Sequence, residues 1–334
     1  MDRLIDAIVK SGNPSVVGLD PKPALLPEPL LHLAREAGPE NQAEALAEAY
    51  ACFNKAIIDA VSDVVPAVKP QIAMYEALGV AGLHAYVRTT AYAQQKGLYV
   101  LGDVKRGDIG STAAAYASHL SGLPDFGQTL TSSAAADQWH EDAVTVNPYL
   151  GTDGIEPFVT AASATDKDLF VLVRTSNPSS SELQNLDVAE QGSAAAPQHA
   201  PITIADRVGS LVEQWGESTR GKYGYSRVGA VVGATHPEDG RRLRAELPHT
   251  FFLVPGFGAQ GGSAADVAEM FDREGRGAII NSSRGIIGAW AKDPESQNLS
   301  SNSSALDCVA RNARAAALEM KKSIVMELEK KRGN

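Results

Sequence analysis

Leu98-Tyr99-Val100-Leu101-Gly102-Asp103-Val104-Lys105-Arg106-Gly107-Asp108 is an apolar run that breaks into charge and then into a turn. Its first half recurs along the chain. Short apolar runs lie at Ser15–Asp20, Val65–Pro70, Leu98–Asp103, Ala143–Pro148, Leu169–Arg174, Val228–Gly233, Phe251–Gly256 and Ala278–Ser283, eight in all, with stretches of helical pattern between them. They are too apolar to alternate between core and water, which suits parallel strands covered on both faces. Asn41 to Val64 is the clearest intervening helix. Asn41 and Glu44 are spaced as a capping box, and Leu46, Tyr50, Phe53 and Ile57 repeat at helical spacing. Eight βα units with no strand left over predict an α/β fold, a (β/α)8 or TIM barrel. A doubly wound sheet is the competitor. It more often carries a G-x-G-x-x-G turn after its first strand, and here that strand ends in Gly18-Leu19-Asp20-Pro21-Lys22-Pro23.

The length, 334 residues, exceeds a minimal barrel and predicts one barrel domain over residues 1–334, with inserted loops near 121–142, 177–201 and 293–304. The first of these follows the third strand and its helix; the second is rich in Ser, Ala, Gln and Pro, the third in Ser and Asn. Ala305 to Arg332 reads as a helix with a basic end. Hydrophobic residues make up 44% of the chain, which excludes a disordered chain and a small disulfide scaffold. Thirty Lys and Arg against forty Asp and Glu give a net charge of −10, which argues against a nucleic-acid partner. An anionic substrate then needs a local basic pocket. The two cysteines, Cys52 and Cys308, lack C-x-x-C spacing, and the seven histidines form no H-x-H or H-x-x-x-H pair, so neither a disulfide nor a metal site is expected. No secretory leader and no run of about 18 apolar residues is present, so the expectation is a soluble, cytoplasmic protein without a membrane partner.

In a barrel the loops at the C-terminal ends of the strands build the site. The first strand ends in Asp20, the second in Lys69, the third in Asp103 through Asp108, and the eighth in Ser282-Ser283-Arg284-Gly285. Residues two apart on a strand point the same way, so Asp103 and Lys105 should project side by side, with Lys69 one strand over and Asp108 in the turn. Such an array of ammonium and carboxylate groups is costly to desolvate unless every charge is paired. It either holds a protonated lysine in place or merely braces the barrel mouth. After the seventh strand comes Val254-Pro255-Gly256-Phe257-Gly258-Ala259-Gln260-Gly261-Gly262. Glycines there let backbone N–H groups approach a phosphate and suit a hinged loop, and Arg284 can fork onto two phosphate oxygens. That eighth-strand motif opens at Asn281, as Asn281-Ser282-Ser283-Arg284-Gly285. Thr145-Val146-Asn147-Pro148-Tyr149-Leu150-Gly151 after the fourth strand and Arg174-Thr175-Ser176-Asn177-Pro178 after the fifth could hydrogen-bond a heterocycle edge or serve as ordinary turns. His236 reads as a surface histidine.

With these residues in view, the chain resembles the longer bacterial (type 2) branch of the orotidine 5′-phosphate decarboxylase family. Asp103-Val104-Lys105-Arg106-Gly107-Asp108-Ile109 matches that family's D-x-K-x-x-D-I signature, and Gly110-Ser111-Thr112 continues it. Val68-Lys69-Pro70-Gln71, Asn147 to Gly151, Thr175 to Pro178 and Pro255 to Gly262 are similar to its other motifs. The resemblance implies a cofactor-independent loss of CO2 from orotidylate, giving UMP in pyrimidine biosynthesis. By position, Lys105 is then the ammonium that stabilises and protonates the pyrimidine carbanion. Asp103 is the carboxylate near the leaving CO2, Lys69 links the network to the ribose, and Asp20 contacts the ribose. Ser176 meets the pyrimidine, while Gln260 and Arg284 hold the phosphate. Asp108 and Thr112 reach the site of a partner subunit, which implies a homodimer. Two alternatives remain. One is a Mg-dependent sugar-phosphate decarboxylase or aldolase of the same superfamily, although it would need an acidic ligand where the second strand has Lys69-Pro70-Gln71. The other is a non-catalytic nucleotide-binding barrel.

Overall fold

The computed structural model describes residues 1–122, 137–188, 202–258 and 261–333. Its centre is a closed barrel of eight parallel strands: Ser15–Leu19, Ala67–Pro70, Tyr99–Arg106, Ala143–Val146, Asp168–Arg174, Val228–Val232, Phe252–Val254 and Ala278–Ser282. They follow one another around the barrel in chain order, and the eighth pairs with the first through Val16 and Asn281. Each coincides with one of the eight apolar runs.

Strands this apolar serve two cores. Val16, Ala67, Leu101, Ala143, Phe170, Val231, Leu253 and Ile279 fill the barrel interior. Their neighbours along the strands, among them Val17, Val68, Val100, Val144, Val171 and Ile280, pack outward against the helices. The helix Gln42–Val61 shows how the sequence achieves this. Seven alanines favour the helix, and Tyr50, Phe53, Ile57 and Val61, three or four apart, bury one face. Its expected capping box does not form. Asn41 already has helical backbone angles (φ −110, ψ −5) and makes no side-chain cap bond, whereas a capping side chain needs an extended backbone.

Two elements complete the barrel. A helix at Asp2–Ser11, stopped by Gly12 in the left-handed region, places Leu4 and Ile5 against the interior cluster from below. The last helix runs from Asn302 to Gly333 and packs on Gln42–Val61. Of the expected insertions, 123–136 and 189–201 lie outside the described residues. The rest of 177–201 forms short helical turns and one strand, Asp187–Val188, of a ribbon with Ile202–Thr203. The 293–304 stretch is a 3-10 turn at Pro294–Asn298 leading into the last helix. Among the described residues no helix is long and apolar enough to cross a membrane.

Candidate active site

The third strand runs three residues past its apolar core and shifts register between Gly102 and Arg106. Within that shift Lys105 takes φ 46, a left-handed conformation that a side chain other than glycine's adopts at a cost. Simple alternation is therefore not what brings Asp103 and Lys105 together. The irregularity swings Lys105 back, and its Nζ lies 2.5 Å from Asp103 Oδ1. Lys69 Nζ, from the second strand, lies 2.5 Å from Asp103 Oδ2. Thr145 on the fourth strand fixes both partners: its hydroxyl donates to Asp103 Oδ1 at 2.9 Å and accepts the Lys105 backbone N–H at 3.0 Å.

Lys69 and Asp103 are buried, while the Lys105 side chain remains 45% exposed. Burial alone would push the Asp103 carboxyl up, but the Lys69 and Lys105 ammoniums hold it well below the usual carboxylate range. Burial would likewise lower Lys69, yet Asp103 and Asp20 raise it above its ordinary value. The carboxylate and the Lys69 ammonium thus stay charged at neutral pH.

These groups border a cavity of about 420 Å³ lined by Asp20, Lys22, Lys69, Asp103, Phe257, Asn281 and Arg284, among others. A cleft of about 460 Å³ between Leu31 and Leu46 is as large, but its one charged lining residue is Arg35, so chemistry and not size selects the site. Gly18, the register partner of Lys69, lets the end of the eighth strand pack close, since a Cβ there would come within 2.6 Å of Ser283 Cβ. Across the cavity the seventh strand leads into a loop with Gly256, Gly258 and Gly261 all at positive φ, closed by Gly258 N–H donating to the Gly262 carbonyl at 2.9 Å. Arg284 and Lys22 have no ion-pair partner among the described residues, so this side of the cavity carries unneutralised positive charge.

The cavity therefore gathers Lys69, Asp103, Asp20 and Arg284 from the sequence expectations, with Lys105 paired to Asp103. It does not gather them all. Asp108 stays in the turn, accepting the Ile109 N–H at 2.7 Å, and makes no ion pair with Lys105; Thr112 is exposed on the helix Gly110–Tyr116. Within one chain the array stops at Lys105. Ser176 lies in the loop after the fifth strand, its carbonyl accepting from the Thr235 hydroxyl at 3.3 Å, and is not among the residues that line the cavity. Gln260 lies outside the described residues. His236 is half-buried and lowered by burial and by the Arg174 charge, and it does not line the cavity.

Three residues that stand in the strand-end motifs had no role assigned from sequence. Thr145 shares the parity of Asn147, two residues on, and Asn281 that of Ser283. Arg174, fully buried, donates to Asp239 at 2.8 Å and to Ser180 at 2.5 Å and so braces the loop that carries Ser176. Among the described residues no group of three or more His, Cys, Asp and Glu is placed to hold a metal ion.

Comparison with known proteins agrees with this geometry. The family model described as orotidine 5′-phosphate decarboxylase / HUMPS matches residues 16–298. The orotidine 5′-phosphate decarboxylase of Rhodopirellula baltica is 44% identical over 293 residues, 87% of this chain and 89% of that protein. Its counterpart in Clostridium acetobutylicum is 38% identical over 325 residues, 97% of this chain and 98% of the relative. The structure of Leishmania donovani OMP decarboxylase superposes with a TM-score of 0.68 at 27% identity, covering 100% of this chain and 98% of that one. With the family model spanning all eight barrel strands, this chain belongs to the orotidine 5′-phosphate decarboxylase / HUMPS family.

Proposed function

We propose that the chain, acting as one barrel domain in the cytoplasm, decarboxylates orotidine 5′-phosphate to UMP and CO2 in pyrimidine biosynthesis, without a cofactor. The observation that carries this reading is the Lys69–Asp103–Lys105 network beside a cavity that the unpaired Arg284 also lines. Arg284, with Gln260, takes the phosphate. Asp20 and Lys69 meet the ribose, and Ser176 meets the pyrimidine edge.

The chemistry needs such a network. The bond from C6 to the carboxylate carbon breaks, CO2 leaves, and the electron pair stays on C6 as an sp2 carbanion that the ring delocalises poorly. Lys105 meets that pair as an ammonium and donates its proton to C6, becoming an amine that regains a proton from solvent. Asp103 keeps the ammonium aimed and charged, and Thr145 positions both. One charge pair at 4 Å and an effective dielectric near 20 is worth ~4 kcal/mol. That is about a thousandfold in rate, whereas very slow reactions need ~20 kcal/mol or more. The remainder comes from binding energy at the phosphate and from orientation. A Mg-dependent sugar-phosphate chemistry fits less well, because Gln71, which bridges to Asp103, offers an amide and not a carboxylate.

Asp108 and Thr112 act across a homodimer interface. Both fail to reach the network of their own chain, and the turn between them exposes Ile109 beside a shallow cleft of about 750 Å³ formed with Pro157 and Ala161. Mixing Lys105→Ala and Asp108→Ala proteins under subunit exchange should restore about a quarter of wild-type activity, since half the dimers are mixed and each has one intact site. Persistent inactivity in verified mixed dimers contradicts the shared site. For the reaction itself, loss of orotidylate absorbance on adding the enzyme is expected, and an unchanged spectrum contradicts it.

A further inference from the structure

The reaction above employs the charges of the cavity and leaves one buried polar group unexplained. Asn281 lines the cavity from the eighth strand, is 8% exposed, and its Oδ1 has no hydrogen-bond partner among the described residues. Ile279, two residues earlier, and Val16, its register partner on the first strand, both belong to the barrel-interior cluster, so Asn281 is where an apolar strand meets the polar cavity. An orphaned amide there lowers stability, and such orphans are rare enough to call for a reason.

Asp20 repeats the observation one strand away. Its Oδ1 is also buried without a partner, and it lines the same cavity. Two unpartnered acceptors on neighbouring strands, facing one cavity, are complementary to a ligand that brings donors. Orotidylate has the pyrimidine N3–H and the 2′ and 3′ hydroxyls. On the proposed reading Ser176 takes the pyrimidine edge, which leaves the hydroxyls. We infer that Asn281 is a substrate-positioning residue whose amide accepts a ribose hydroxyl alongside Asp20, and so selects ribonucleotides over deoxyribonucleotides. This rests on the reading of the cavity as a nucleotide site. A site built to bond a hydroxyl rejects the analogue that lacks it, because its own buried polar group is then left unpaired.

The test uses inhibition constants for UMP, 2′-deoxy-UMP and 3′-deoxy-UMP on wild type, Asn281→Leu and Asn281→Ala. Wild type should lose about tenfold in affinity or more when one of the two hydroxyls is removed. In Asn281→Leu, UMP should weaken by about tenfold and its ratio to that deoxy analogue should fall toward one. Asn281→Ala, which adds no bulk, should show the same collapse of the ratio even if the leucine variant does not fold. Unchanged ratios in a folded variant overturn the inference. A wild type that neither binds UMP nor consumes orotidylate overturns the nucleotide reading instead, without involving Asn281.

Discussion

At the C-terminal ends of the strands Asp103 is gripped by Lys69 and Lys105; at the N-terminal ends Asp168 is gripped by the Met1 ammonium, by the Tyr99 hydroxyl at 2.7 Å and by Arg227. Both carboxylates are buried and both are paired. Beside Asp168, Asp142 accepts the Val100 N–H at 2.8 Å and Arg3 at 2.5 Å, so all four oxygens of these two carboxylates meet a partner from the protein itself. The other end differs in two respects. Its paired Lys69 and Asp103 line a cavity of about 420 Å³, against about 270 Å³ beside Met1 and Arg227, and it holds Lys105 at positive φ with the side chain half in solvent. Both ends leave buried oxygens unpartnered, on Asp2 at one and on Asp20 and Asn281 at the other. Burial, pairing and an unpartnered oxygen alone do not mark a catalytic site. A strained, half-exposed ammonium held against a buried carboxylate beside the larger cavity does. The N-terminal network reads as stability and the C-terminal one as chemistry, as barrels generally divide them.

Substitutions can break this division. Lys105→Ala should have the largest effect: a loss in kcat of about a thousandfold or more. Because Lys105 is half exposed, UMP affinity and thermal stability should change little. Equal loss of turnover and of UMP binding would make the lysine structural. Asp168→Asn should do the reverse, lowering unfolding free energy by roughly 3 kcal/mol by stranding the buried Met1 ammonium. Activity per folded molecule should persist, and a fall in kcat with unchanged stability would erase the contrast between the two ends. Arg284→Ala should raise KM by about 10–150-fold, the equivalent of ~1.5–3 kcal/mol for hydrogen bonds to a charged group. Its kcat should hold, and an unaltered KM would remove Arg284 from the phosphate site.

The smallest effect concerns pH. Asp103 is depressed by its lysines against burial, so its contribution to stability is complete above the unfolded carboxylate value and is lost as pH falls through the lower folded one. Lys69 is raised by Asp103 and Asp20, so its contribution is present below the unfolded lysine value and is lost as pH rises through the folded one. Neither titrates between about pH 5 and pH 9, and kcat/KM should show no inflection from this pair there. An inflection in that window that vanishes in Asp103→Asn would contradict the paired network.

Much of this was legible in the residues. Eight apolar runs gave eight strands because a parallel strand covered on both faces has no polar side to blur its pattern. Asp103, Lys105 and Lys69 do meet, as the strand ends suggested, but Lys105 comes there through a register shift and a left-handed backbone that no local pattern announces, and not by parity. The N-terminal network stayed hidden. Asp142 precedes its strand and Asp168 opens its own, and their partners Arg3 and Met1 lie far away in the chain, so only closure of the barrel brings them together. Asn281 stood in the eighth-strand motif without a role of its own, because one amide in a strand otherwise apolar up to Ile280 reads as a strand residue until its unpaired oxygen is seen.

The most direct measurement is a crystal structure of the enzyme with UMP or a 6-substituted uridylate bound. Lys105 Nζ should stand within about 3 Å of C6 or its substituent, with Asp103 still bridging Lys69 and Lys105. A Lys105 amine turned to solvent, or a pyrimidine bound away from the Asp103 network, would contradict the account.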